Sequence, residues 1–134
     1  MYSLKLTGTI TSKRAFHVPV FRRWRLVFER REFGTKIDRI DAEFPLYFHT
    51  GFDIPDGGVE VKLPAGFSIL IKRMSSSNVE PLVRASVLFE GYTLPGWGYT
   101  FTIPDFDDLH VLDWRSKIYK GVELDLYGSL YYTP

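Results

Sequence analysis

Residues 59–71 read VEVKLPAGFSILI, and this stretch decides the fold class. Apolar side chains occupy every second position on both sides of a short link, at 59, 61 and 63 and again at 67, 69 and 71. Alternation with a period of two residues is typical of a strand that buries one face. The link Pro64-Ala65-Gly66 is short enough to join two antiparallel strands. The stretch therefore predicts a β-hairpin.

The same alternation continues along the chain, at residues 4–10, 44–48, 83–89, 99–103 and 118–126. Turn-forming residues at 56–58, 75–78, 95–96 and 104–105 separate these runs. The pattern predicts one mainly β domain over residues 1–134, with about seven or eight short strands and at most one or two short helices. We expect an antiparallel β-sandwich, a jelly-roll-like arrangement or a barrel. The helical share should fall below about one-fifth.

Two segments do not follow this pattern cleanly. Residues 19–33 carry apolar side chains at helical spacing, but the same residues also alternate as a strand would, so either element is possible and a strand is slightly favoured. Residues 105–116 predict a short helix, because aspartates at 105, 107 and 108 suit a helix N-terminus.

The composition is that of an ordinary globular chain of 134 residues, except that 16% of its residues are aromatic. The absence of cysteine excludes a disulfide scaffold, a cysteine-zinc site and thiol catalysis. No apolar run is long enough to span a membrane, and the first residues do not resemble a signal peptide. We therefore expect a protein of the cytoplasm or of a virion.

Charge is divided unevenly along the chain. Residues 1–40 contain ten Lys and Arg against three acids, a balance of +7, whereas residues 41–134 contain seven against thirteen, a balance of −6. The two sets either form oppositely charged faces or mix over one surface. Opposite faces would favour head-to-tail association or a polyanion partner.

No catalytic, cofactor-binding or metal-binding residues are predicted, and no enzyme activity is expected. His17, His49 and His110 lack the spacing of a metal motif. The acidic run at residues 105–108 fits an exposed turn best, with a calcium site or a carboxylate pair as weaker alternatives. Serines and glycines occur in neither a nucleophile-elbow nor a phosphate-loop pattern.

A basic segment at residues 13–31 is the first candidate binding site, with its centre at Arg22, Arg23, Trp24 and Arg25. Arginine interleaved with aromatic residues suits three partners: nucleic acid, an anionic membrane, or another protein surface. The same pattern also describes a strand with an apolar inner face and a basic outer face.

A second candidate site lies in the loop-like stretch GYTLPGWGY at residues 91–99. Glycines on both sides of Trp97 give its indole little local cover, and Tyr92 and Tyr99 flank it. An exposed Trp97 would stack on a sugar ring or a partner, whereas a Trp97 that folds back would close one end of the core.

Three short stretches resemble the matrix proteins of vesiculovirus-type rhabdoviruses: residues 11–16 (TSKRAF), 90–95 (EGYTLP) and 119–124 (YKGVEL). Residues 41–75 lie outside this similarity. The resemblance implies a helix near residues 19–33, self-assembly, and binding to anionic membrane and to a nucleocapsid.

These observations predict a non-enzymatic structural or assembly protein that works through protein–protein interfaces. A viral or phage subunit of capsid, tail or matrix type fits best, with partners that are copies of itself and other structural proteins, and with no small-molecule cofactor. The alternative is a carbohydrate-binding β-sandwich module that uses Tyr92, Trp97 and Tyr99.

Overall fold

Strands make up 76% of the structure and helical turns 6%, so the prediction of a mainly β protein is confirmed. A computed structural model describes residues 1–74, 82–106 and 108–133. The eight strands are β1 (Tyr2–Arg22), β2 (Arg25–Pro45), β3 (Val59–Lys62), β4 (Phe67–Met74), β5 (Leu82–Phe89), β6 (Tyr92–Thr102), β7 (His110–Tyr119) and β8 (Val122–Tyr132). One short helix, α1 (Ile103–Phe106), and 3-10 turns at Gly51–Asp53 and Pro64–Gly66 complete the elements.

The strands form two antiparallel sheets of four strands each. The first sheet has the order β2-β1-β8-β7 and the second the order β3-β4-β5-β6. The arrangement is sandwich-like, and the strands of the described residues do not close into a barrel. The predicted hairpin around Pro64 is present, since Lys62 lies opposite Ser68 and Val59 opposite Ile71. No helix of the described residues is long and apolar enough to cross a membrane.

The core lies between the sheets because alternate side chains of the strands, outside residues 13–34 of β1 and β2, point into it. Buried side chains from both sheets form one cluster. Fully buried members include Leu4, Leu6, Leu124 and Leu126 from the first sheet and Ile69, Ile71, Val83 and Val87 from the second. At one side the edge strands β6 and β7 are linked directly: the Tyr99 hydroxyl donates to the Asp113 carbonyl oxygen at 2.8 Å.

The predicted helix at residues 105–116 is wrong beyond its first residues. Helix α1 ends at Phe106, and His110–Tyr119 form strand β7. The physical reason is burial, since Leu112 and Trp114 alternate into the core and outweigh the aspartates that favoured a helix start. Asp107 and the predicted turn at residues 75–78 lie outside the described residues.

The predicted turn at residues 95–96 is also wrong, because both residues lie within β6. The register between β5 and β6 shifts here: Ser86 lies opposite Gly98, but Leu88 lies opposite Thr93. Several residues of β6 therefore form a bulge against a single residue of β5. Gly96 has a φ of +78°, which glycine adopts without strain.

Two glycines allow β1 and β8 to approach closely. Gly8 lies opposite Leu126, and Gly128 lies opposite Leu6. A methyl group on Gly8 would overlap the carbonyl oxygen of Asp125, and one on Gly128 would overlap that of Lys5. Neither position accepts a side chain without moving the backbone of the neighbouring strand.

We therefore expect Gly8→Ala to lower the free energy of unfolding by about 2–4 kcal/mol, because overpacking and an unfavourable φ act together. The matched control is Gly57→Ala, where an added methyl group meets open space and the change should stay within about 0.5 kcal/mol. Urea denaturation followed by circular dichroism measures both. Equal midpoints for the two variants would contradict the close approach.

Candidate functional site: an exposed hairpin arm

Strands β1 and β2 extend far beyond the sheet that contains them. β1 pairs with β8 only from Tyr2 to Ser12, whereas its pairing with β2 continues to Arg22. Residues 13–34 are therefore a two-stranded ribbon, which we call the hairpin arm. Ten residues of β1 lie in it, and at about 3.3 Å per residue the arm is about 33 Å long.

The base of the arm is fixed to the rest of the molecule, which we call the body. The backbone N–H of Lys13 donates to the carbonyl oxygen of Gly121 at 2.6 Å, and its ammonium group lies 2.8 Å from a carboxylate oxygen of Glu123. A β-bulge precedes this point, since Ile10 pairs with Asp38 and Thr11 with Lys36, which leaves Ile37 unpaired. Bulges bend a strand pair and increase its twist.

One face of the arm is apolar and exposed. Residues directly opposite each other in an antiparallel pair share a face, and here Pro19 lies opposite Phe28, and Phe21 opposite Leu26. Phe21, Phe28 and Leu26 are 77%, 62% and 54% exposed. We call these four residues the apolar face. A contiguous exposed apolar patch on a protein is typical of an interaction site.

The opposite face carries charge together with further apolar side chains, Phe16 and Phe33, which are 47% and 61% exposed. Arg22 forms an ion pair with Glu29, and Arg31 lies 3.9 Å from the other carboxylate oxygen of Glu29. Val20 and Val27 face each other on the same side. Glu29 thus ties the two strands together near the tip.

The turn at the tip is built from residues that do not favour it. Arg23 and Trp24 both have positive φ, 48° and 69°, as a two-residue type I′ turn requires. Asn-Gly is the sequence that suits such a turn, and other residues cost about 1 kcal/mol each. Trp24 is 99% exposed. Neither turn propensity nor packing against the described residues explains the choice of Arg23-Trp24 at the tip.

The arm concentrates positive charge. Residues 13–34 contain seven Lys and Arg and two Glu, a net charge of +5, so the remainder of the chain has a net charge of −4. The sequence asymmetry thus becomes a separation in space between a basic arm and an acidic body. This separation follows from the ribbon's projection from the sheet rather than from two opposite faces of one compact body.

The first predicted site is brought together by the structure. Arg22, Arg23, Trp24 and Arg25 meet at the tip, and the strand alternative for residues 19–33 is correct. Sequence analysis missed the apolar face, because the alternation of these residues was read as one buried and one solvated side. A signal was present in the sequence. Large apolar and basic residues occur at both the even-numbered and the odd-numbered positions of residues 16–31, whereas a half-buried strand keeps its apolar residues at one of the two sets.

The second predicted site does not form one exposed platform. Tyr92 is exposed, but Trp97 and Tyr99 are partly buried and pack against the core. Trp97 lies parallel to Phe67 at a ring distance of 6.5 Å, and its carbonyl oxygen accepts a hydrogen bond from the Trp114 indole. The bulge in β6 turns Trp97 inward, so the alternative in which it folds back onto the core is correct.

The histidines and acids do not converge on a metal site among residues 1–74, 82–106 and 108–133, which contain no suitable group of three or more such side chains. His17 lies on the arm, His49 follows β2, and His110 packs against the Phe101 ring at 4.1 Å. A surface cavity of about 510 Å³ is lined by Phe52, Ile54, Asp56, Lys72, Arg73 and Met74. Its lining combines two cationic side chains and one carboxylate with apolar groups.

Comparison with known proteins gives no relative: no protein-family model, no curated protein and no solved structure matches this chain. The resemblance to rhabdovirus matrix proteins therefore stays a prediction. The helix that it implies at residues 19–33 is replaced here by the tip of the hairpin arm.

The two tryptophans have opposite structural roles, which mutation can separate. We expect Trp97→Ala to lower the free energy of unfolding by about 3 kcal/mol, the usual cost of removing a core aromatic side chain. Trp24→Ala is the matched control and should change it by less than about 0.5 kcal/mol, because Trp24 is exposed. Chemical denaturation measures both, and a larger loss for Trp24 than for Trp97 would contradict this assignment.

Proposed function

We propose that this protein is a non-enzymatic assembly subunit that binds copies of itself through the hairpin arm. The observation that carries the proposal is the exposed apolar face of the arm beside a fully exposed Trp24. A two-stranded hairpin is marginally stable alone, and this one exposes large apolar side chains instead of polar ones. Docking onto a protein surface would bury that apolar area and support the ribbon.

The composition of the arm favours a protein partner over nucleic acid. Trp and Arg are the commonest residues at energetic hot spots of protein interfaces, and both occur at the tip. The apolar face also contains Leu26 and Pro19, which offer no stacking surface for bases, so its chemistry fits a protein surface better. The net charge of −4 on the remainder of the chain gives the arm an attractive target on an identical subunit.

The setting that we propose is a virus or phage particle, where small repeated subunits assemble through their surfaces. The small β-sandwich, the projecting arm and the resemblance to matrix proteins support this setting. The carbohydrate-binding alternative is weaker, because Trp97 and Tyr99 are occupied in the packing of the core.

Charge reversal at the tip tests the proposal. We expect Arg22→Glu, Arg23→Glu and Arg25→Glu together to abolish the salt-sensitive oligomers of the parent protein without unfolding it, since all three side chains are exposed. The control is Lys62→Glu, Lys72→Glu and Lys120→Glu, which changes the net charge by the same −6 at exposed positions of the body. Size-exclusion chromatography with light scattering at two salt concentrations measures both.

Two outcomes would overturn the proposal. One is a triple arm variant that assembles as the parent does. The other is a monomeric parent that binds single-stranded nucleic acid or anionic vesicles tightly through the same arginines, which would make the arm a polyanion-binding element.

A second test separates a functional tip from a structural one. Arg23→Asn with Trp24→Gly installs the favoured type I′ sequence, so we expect slower amide hydrogen exchange along residues 16–31. Self-association should nevertheless weaken by about tenfold or more, because a hot-spot Trp is lost. If the variant has a more stable arm and unchanged association, Trp24 does not contact the partner.

A further inference from the structure

The first sheet has an outer face that no other element of the described structure covers. Along β1, Leu4 and Leu6 point into the core, so Lys5, Thr7 and Thr9 point outward. The strand register extends this outer face across the sheet in rows. One row crosses all four strands, from Asp41 through Thr7 and Tyr127 to Asp113.

The outer face combines aromatic, apolar and acidic groups. Neighbouring rows contain Glu43, Lys5, Ser129 and Val111 on one side and Arg39, Thr9 and Asp125 on the other. Tyr127 and Val111 are about half exposed. The Tyr127 ring already makes a cation–π contact with one guanidinium group, since the guanidinium carbon of Arg115 lies 5.3 Å from the ring centre. The outer face therefore has the groups that contact arginine and apolar side chains well.

The charge of this face opposes that of the arm. Its acids are Asp41, Glu43, Asp113, Glu123 and Asp125, and its basic residues are Lys5, Lys36, Arg39 and Arg115, a net charge of −1 against +5 for the arm. Arg115 hydrogen-bonds Asp113 and lowers the pKa of that carboxyl to about 2. Asp41 and Asp125 are exposed acids available to a second positive partner, and Glu43, also exposed, accepts a hydrogen bond from the Tyr131 hydroxyl.

We infer that the hairpin arm of one subunit lies on the outer face of the first sheet of a second copy, and that the two copies exchange arms reciprocally. This inference rests on the proposed function and names the receiving surface. The arginines of the arm would approach Asp41, Glu43 and Asp125, and the apolar face would cover Tyr127 and Val111.

Dimensions support this arrangement. Strand β8 has 11 residues and so is about 36 Å long, which accommodates an arm of about 33 Å. A ribbon about 10 Å wide covers about 330 Å², so one docked arm removes about 660 Å² from water over both partners. That area is typical of weak contacts, whereas two exchanged arms remove about 1,300 Å², within the range of stable interfaces. The area therefore favours a reciprocal, two-fold symmetric dimer over a single docked arm.

A charge exchange between arm and face tests the inference. The arm variant is Arg23→Glu with Arg25→Glu, and the face variant is Asp41→Lys with Asp125→Lys. We expect each alone to be monomeric in size-exclusion chromatography with light scattering, at least about tenfold weaker in association than the parent. An equimolar mixture should form a heterodimer, because both arm–face contacts are then complementary. The variant with all four changes should regain the homodimer.

The outcomes distinguish a failure of the inferred receiving surface from a failure of the proposed function. A face variant that dimerises as the parent does, beside a monomeric arm variant, would overturn the receiving surface and leave arm-mediated assembly intact. An arm variant that dimerises as the parent does would overturn both. The neutral pair Asp41→Asn with Asp125→Asn is a control for misfolding of the lysine variant. This pair should also weaken association. Unchanged association would again overturn the receiving surface.

Discussion

The pairing of β1 with β8 is the interaction on which the rest of the structure depends. It joins the β1–β2 hairpin to the β7–β8 hairpin and so creates a four-stranded sheet with one face for the core. Gly8 and Gly128 keep the two strands at pairing distance. The pairing stops at Ser12, and that single end point divides β1 into a body half and an arm half.

The two halves of β1 follow different physical rules. In the body, alternate residues such as Leu4 and Leu6 are buried, and burial of apolar area stabilises the fold. In the arm no part of the described structure forms a second layer, so exposed Phe21 and Phe28 contribute little to the stability of the isolated subunit. The ion pairs of Glu29 with Arg22 and Arg31 hold the strands together but are partly exposed, and such pairs stabilise weakly. Under the proposed function, the stability that the arm lacks is supplied by the neighbouring subunit.

Much of the fold could be predicted from the sequence, because strand periodicity is local. The hairpin around Pro64 and the low helix content followed from alternation and turn residues alone. Segment 110–116 was misassigned because burial of Leu112 and Trp114 depends on a partner sheet that local pattern does not reveal. The bulge that turns Trp97 inward was missed for the same reason, since the register between two strands is a tertiary property.

The composition of the candidate site could be predicted from the sequence, but its position in the structure could not. The cluster of Arg22, Arg23, Trp24 and Arg25 is contiguous in sequence, so its composition identified it. Its projection was not predictable, because it depends on how far β8 extends along β1. The outer face that contains Asp41, Tyr127 and Asp113 is assembled from three distant segments, and only the register places them in one row.

The separation in sequence between β1 and β8 also sets an order of events during synthesis. Tyr2 pairs with Tyr132, so the first sheet cannot close until residues 122–132 have left the ribosome. The β1–β2 hairpin, by contrast, is complete in sequence after about a third of the chain. Under the inferred exchange of arms, a nascent chain would thus expose its hairpin arm long before its first sheet could receive another arm. Reciprocal association between nascent chains would then wait until β8 has been synthesised and the sheet has closed.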